Sequence, residues 1–158
     1  MFEVVFDAAA IAHAARGNYY GTGPDAVERF RLIDIFGEAR LASLIAKNAT
    51  GDASALPAAT ALRMATLDGA AALGLDHDLG SLEPGKQADV IAVDLGGFQH
   101  SPCYDPVSHL VHVSGRDQVS DVWVGGDRLV ASGELTRLDA DDLLARARLW
   151  HERLQRPE

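Results

Sequence analysis

The apolar pattern of this chain changes its period at Gly80, and this change constrains the fold more than any other feature. Before Gly80, apolar residues recur every three or four positions, which is typical of α-helices. From there to about residue 130, apolar residues alternate with polar ones or form short β-branched runs, which is typical of strands. The sequence therefore predicts a mixed α/β protein.

Three helices are predicted in the first half. One runs from about 26 to 47, and its apolar stripe is wide enough to need cover on two sides. The next opens at Pro57, because proline suits the first helical position. A third covers 67–73, between an N-cap at Thr66 and a left-handed residue at Gly74. The stripe of the first helix consists of Leu32, Ile35, Phe36, Ala39, Ala42 and Ala46, widened by Ile33, Leu41, Leu44 and Ile45.

Strands are predicted in the second half and at the start of the chain. Residues 83–86 fit a type II turn, with Pro and Gly at its central positions. Residues 88–94 form a nearly continuous apolar strand, which predicts burial on both faces. Residues 118–130 form a hairpin around a Gly-Gly turn. A further short strand is predicted at 2–6.

The last predicted element is a helix over 140–154. Asp139 is its expected N-cap, and two aspartates in its first turn suit the helix dipole. Apolar residues at spacings of four and three predict a buried stripe along this helix. The stripe consists of Leu143, Ala147, Trp150 and Leu154.

Composition excludes several partners. The formal net charge is −9 and the isoelectric point is near 5.0, which argues against nucleic acid and against anionic membranes as partners. Cys103 is the single cysteine, so no intrachain disulfide and no Cys-rich zinc site is possible. The start lacks the basic region of a secretory signal, and the apolar run 8–15 is too short to span a membrane. These features predict a soluble, cytoplasmic protein.

Histidines are the candidate metal ligands. His109 and His112 are three residues apart, whereas a zinc-protease motif needs a four-residue step and an adjacent Glu. His77, His100 and His151 are expected to form no constellation with them. The Gly-rich segment 21–23 lacks the spacing of a phosphate loop and of a dinucleotide fingerprint. Spacing alone therefore predicts no catalytic, cofactor-binding or metal residue.

Several stretches together resemble the C-terminal third of the amidohydrolase superfamily, over roughly 32–155. The similarity is greatest to the branch of triazine hydrolases and methylthioadenosine/S-adenosylhomocysteine deaminases. The stretch Gly80–Asp94, which reads GSLEPGKQADVIAVD, is the most specific. The others are Asp34–Leu41, Leu56–Gly74, and Asp105–Val111 followed by Val119–Leu129 with its VWVGG hairpin.

The resemblance implies an incomplete piece of a (β/α)₈ barrel, since 158 residues are fewer than the about 200 that a complete barrel needs. Residues 1–31 match the family poorly. Residues 32–79 would supply the last barrel helices, and 80–135 would supply strands of the flanking small β-sandwich with their hairpin. Residues 136–158 would form the C-terminal helix.

The resemblance also implies a metal-dependent hydrolase of non-peptide C–N bonds, such as a deaminase of a purine-like or triazine ring. In this family zinc or iron activates a water, and histidines and one aspartate hold the metal. The histidine motifs precede the region matched here. Gly23 stands where the family's Gly-Thr-Asp motif has its aspartate, and Asp25 lies two positions later. No metal ligand and no cofactor is therefore assigned to this chain, which is predicted to be inactive alone.

Two alternatives remain at this stage. One is a non-catalytic interaction or oligomerisation module, or the complementing half of a split hydrolase, which would self-associate or pair with a barrel-containing chain. Its contact surface would be Leu32, Ile35, Phe36, Leu41 and Leu44. The other is a small free-standing enzyme with a site around Asp105, His109 and His112.

Overall fold

The structure, a computed structural model, describes residues 3–6 and 34–155. In this part a mixed α/β arrangement is present, as predicted, with one antiparallel sheet. The elements are β1 Glu3–Phe6, α1 Ile35–Thr50, α2 Ala58–Met64, α3 Leu67–Ala72, β2 Val90–Asp94, α4 Pro106–His112, β3 Val119–Val124, β4 Asp127–Ala131, β5 Glu134–Leu135 and α5 Ala140–Leu154. No helix among these residues is long and apolar enough to cross a membrane.

The first long helix begins later than its apolar stripe suggests. Asp34 has an extended backbone, and its Oδ1 accepts a hydrogen bond from the Gly37 amide at 3.2 Å. The prediction of one continuous helix over 26–47 is therefore wrong at Asp34, because this aspartate caps the helix instead of continuing it. Residues 26–33 lie outside the described part. The helix ends at Thr50, three residues after the predicted end at 47, and Gly51 closes it in a left-handed conformation at φ 66°.

The short helices α2 and α3 follow their predicted positions with two corrections. Pro57 is the N-cap of α2 rather than its first helical residue. Thr66 is at the N-cap position of α3, but its Oγ1 donates back to the Leu62 carbonyl at 2.9 Å and caps nothing. Gly74 is left-handed at φ 69°, as predicted.

The five strands form one sheet in the order β1-β2-β3-β4-β5, with every neighbouring pair antiparallel. Strand β2 lies inside the sheet, and Ile91, Ala92 and Val93 are all buried, as its apolar run predicts. The predicted type II turn is present, with Gly85 at φ 98° and the Lys86 amide bonded to the Glu83 carbonyl. The predicted hairpin is formed by β3 and β4.

The core lies between one face of the sheet and the helices α1, α2 and α4. Phe36 of α1, Leu110 of α4 and Ile91 and Val93 of β2 are buried together with Leu95. Contacts between α2 and both α1 and α4 complete this layer. The helices and the sheet thus share one apolar core, which fixes the position of α4.

Exposed apolar residues differ from those predicted in two places. Phe36 is buried and Ile35 is half-buried, so these two do not belong to an exposed contact surface, whereas Leu41 and Leu44 are exposed. Leu32 lies outside the described part. The predicted buried stripe of α5 is wrong, because every residue of α5 is exposed. Helix α5 forms at its predicted bounds, but its apolar stripe remains exposed in the described chain.

Candidate functional site

Helix α4 carries the two histidines that the sequence singles out. Asp105 is its N-cap, and Oδ1 of that residue accepts a hydrogen bond from the Val107 amide at 3.1 Å. His109 and His112 lie one turn apart on the same side of the helix. The carboxylate of Asp105 therefore holds the start of α4, and the two imidazoles lie further along it.

Two cations on α1 donate to neighbouring backbone carbonyls, Arg40 at the end of α4 and Lys47 in the loop between α1 and α2. The guanidinium of Arg40 donates from Nε to the Val111 carbonyl at 3.2 Å and from Nη2 to the Ser114 carbonyl. These carbonyls are at the C-terminal end of α4, where helical partners are missing and a cation is favourable. Lys47 Nζ similarly donates to the Ala55 carbonyl at 2.6 Å. Both cations therefore donate hydrogen bonds to backbone carbonyls.

The environment of His112 favours its neutral form. Burial lowers the pKa of His112 below its ordinary value of 6.5, and the charges of Lys47 and Arg40 add to this effect. A histidine kept neutral between two cations is poorly suited to carry a proton for general acid catalysis near pH 7. The arrangement is that of a packed side chain beside structural cations.

The structure brings together two histidines that were expected to be separate. His100 is in the 3₁₀ turn Phe98–His100, and its ring centroid lies 5.8 Å from that of His109. His100 is 1% exposed. Within the described chain, neither ring nitrogen of His100 has a hydrogen-bond partner, nor does Nδ1 of His109. His100 thus has a histidine neighbour that its position in the sequence did not predict. The sequence gives no signal for the pair, because eight residues separate its members and no known ligand spacing relates them.

The described residues do not supply a zinc site. No group of three or more His, Cys, Asp or Glu side chains within 34–155 is placed to hold a metal ion. The pair His100 and His109 offers two nitrogens, whereas a catalytic zinc takes three protein ligands. His77 is exposed in the loop between α3 and β2, and His151 is exposed on α5. Asp25 and the segment 21–23 lie outside the described residues.

An apolar groove between α1, α2 and α4 is also unsuited to catalysis. Its walls contain no polar side chain that could orient a substrate. The lining residues are Ile35, Phe36, Ala39, Leu62, Ala65, Leu110 and Val111. In the predicted alternative of a small enzyme around Asp105, His109 and His112, the carboxylate caps a helix, the His109 ring is half-buried beside His100, and the pKa of His112 is lowered, which favours its neutral form.

Comparison with known proteins relates most of this chain to larger enzymes. The model of the amidohydrolase family matches residues 3–129. A 5-methylthioadenosine/S-adenosylhomocysteine deaminase of Teredinibacter turnerae is 46% identical over 132 residues, which are 84% of this chain and 30% of that protein. The corresponding deaminase of Moorella thermoacetica is 41% identical over 131 residues, or 83% and 31% of the two chains.

Solved structures of larger enzymes also match this chain over part of their length. An adenosine deaminase from Xanthomonas campestris with bound zinc matches with a TM-score of 0.73 and 45% identity, over 77% of this chain and 28% of the other. An atrazine chlorohydrolase from Arthrobacter aurescens TC1, complexed with zinc, matches with a TM-score of 0.65 and 33% identity, over 72% and 25%. The chain thus spans less than a third of the length of these relatives.

Proposed function

We propose that this chain, which belongs to the amidohydrolase family, is the C-terminal portion of a metal-dependent hydrolase of non-peptide C–N bonds. The reaction class would be deamination of a purine-like ring. The observation that carries the proposal is the 45% identity and 0.73 TM-score to a zinc-bound adenosine deaminase, of which this chain covers 28%. Relatives at 46% and 41% identity that are deaminases support the same substrate class.

The zinc of the relatives does not fit the described residues, so no step through a metal is assigned to them. Residues 34–155 present a pair of imidazoles rather than a three-ligand set. We therefore propose that the isolated chain binds no catalytic zinc and hydrolyses nothing. The metal ligands would come from the two thirds or more of the relatives' length that this chain does not span.

The contribution of this chain would be a scaffold that orients late barrel helices against a small sheet. Arg40 joins α1 to the end of α4, and the shared core joins both helices to β2. The outer face of α1 presents Leu41, Leu44 and Ile45, each about half exposed. In this proposal the barrel portion of the enzyme covers that face, whether it is part of the same polypeptide or a separate one. A reducing cytoplasm suits the single thiol, Cys103.

A chimera tests the proposal. The region of the Teredinibacter turnerae deaminase that matches this chain is replaced by residues 32–155 of this chain, and deamination of 5′-methylthioadenosine and S-adenosylhomocysteine is measured. If this chain carries the scaffold, the chimera is active, and the relative with the same region deleted is not. A chimera that folds and retains the relative's zinc content, yet deaminates neither compound, would contradict the proposal.

A further inference from the structure

We propose that α5 is a self-association helix, which pairs in antiparallel orientation with α5 of a second copy of this chain. The inference concerns a part of the chain that lies beyond the match to the family model, which ends at residue 129. It does not rest on the proposed function.

The first observation is that α5 is formed but unsupported. All its residues are exposed, including Leu143 at 38%, Trp150 at 60% and Leu154 at 81%. A helix of 15 residues is only marginally stable in water when nothing packs against it. A well-formed helix with an uncovered apolar stripe therefore needs a partner surface.

The spacing of the stripe indicates what kind of surface this is. The stripe residues Leu143, Ala147, Trp150 and Leu154 follow one another in steps of four, three and four residues. This is the spacing of the apolar residues along the seam of a coiled coil. In an antiparallel pair centred between 148 and 149, Ala147 of each copy lies opposite Trp150 of the other. Leu143 then lies opposite Leu154. Each large side chain thus meets a small one at the centre, and the seam is complementary to itself.

The charges of α5 favour the same orientation. Its first turn carries Asp141 and Asp142, whereas Arg146, Arg148 and Arg153 lie in the remainder with Glu152. Three acidic and three basic residues leave the helix itself neutral, so the net charge of −9 is located elsewhere in the chain. Antiparallel pairing brings the acidic turn of one copy towards the basic end of the other and aligns the helix dipoles favourably.

The available area fits a weak dimer. Covering Leu143, Leu144, Trp150 and Leu154, with Ala147 and the arginine stems beside them, would bury roughly 500 Å² on each copy. The total of about 1,000 Å² is at the lower limit of specific interfaces. A second copy of α5 is thus large enough to cover the stripe, and the affinity is expected in the micromolar range.

Sedimentation velocity of the full chain between about 5 and 200 μM tests the pairing. The wild-type mass is expected to rise with concentration from 16.8 kDa towards twice that value. Ala147→Glu places a carboxylate in the seam and is expected to raise the dissociation constant at least about tenfold. Ala145→Glu makes the same change on the opposite face and is the matched control, with less than a twofold effect. Circular dichroism checks that both variants keep their helix content.

Three results would overturn the proposal. The first is a monomeric wild type over the whole range, and the second is equal association of the two Glu variants. The third is loss of the dimer through Leu44→Glu alone, which would assign the contact to α1.

The antiparallel orientation has a separate test. Arg153→Glu should weaken an antiparallel dimer, because it brings a carboxylate near Asp142 of the second copy. An unchanged or tighter dimer in that variant would contradict the antiparallel arrangement.

Discussion

Replacing Arg40 by Met should destabilise the protein far more than its half-exposed position on α1 suggests. The guanidinium donates to the carbonyls of Val111 and Ser114, whose residues are 2% and 0% exposed. Methionine keeps the length and the apolar stem of the side chain but leaves both carbonyls without this donor. The end of α4 would then have buried acceptors that water does not reach.

The magnitude follows from these two bonds. A hydrogen bond from a charged donor contributes about 1.5–3 kcal/mol net, and a buried acceptor left unsatisfied costs about 1–3 kcal/mol. Because Arg40 itself is partly solvated and the two bonds share one side chain, we expect a total loss of about 2–3 kcal/mol rather than the sum. Arg40→Lys should lower the free energy of unfolding by less than Arg40→Met. The lysine ammonium can donate to one of the two carbonyls, but it cannot bridge both as the guanidinium does.

Urea unfolding followed by circular dichroism measures the effect. Arg63→Met is the matched control, because Arg63 pairs with Asp68 on the surface at 2.8 Å with both side chains well exposed. This surface pair is expected to contribute about 0–1 kcal/mol. If Arg40→Met and Arg63→Met lower the free energy of unfolding equally, with unchanged m-values, the assigned role of Arg40 is wrong.

Three further predictions concern His112 and Leu110 on α4 and the contact of Gly80 with α3. Because the pKa of His112 is lowered by folding, the unfolded chain binds more protons, and the free energy of unfolding should fall as the pH decreases below about 6.5. His112→Gln should remove this part of the pH dependence in urea titrations between pH 5.5 and 8, whereas His77→Gln at an exposed position should not. Leu110→Ala should lower the free energy of unfolding by about 3–5 kcal/mol, since Leu110 is fully buried in the core; a loss below 1 kcal/mol would contradict that packing. Gly80→Ala should cost a few kcal/mol, because Gly80 has φ 92° and its added Cβ would lie 2.8 Å from the Leu67 Cα; wild-type thermal stability would exclude this contact.

Elements governed by local chemistry could be predicted from the sequence. Helix α5 begins after Asp139, whose Oδ1 accepts from the amides of Asp141 and Asp142, and its bounds agree with the prediction. The Gly125-Gly126 turn has the positive φ angles that a tight hairpin requires, and only glycine adopts these readily. Each of these signals is contained within a few residues.

Features that depend on distant contacts could not be predicted in the same way. The start of α1 could not be predicted from its apolar stripe, because the stripe does not show that Asp34 is the N-cap of the helix. The proximity of His100 and His109 depends on the path of the loop between them, for which the sequence carries no spacing rule. The stripe of α5 has the pattern of a buried face, but a pattern shows only that cover is favourable and does not identify what provides it.

The zinc content of the purified full chain tests the central claim most directly. After equilibration with zinc and removal of the excess, metal content is measured by mass spectrometry, and deamination of 5′-methylthioadenosine is followed in the same sample. The account predicts far less than one tightly held zinc per chain and no deamination. One zinc per chain together with turnover would show that this polypeptide builds its own catalytic centre, and would contradict its assignment as a scaffold portion.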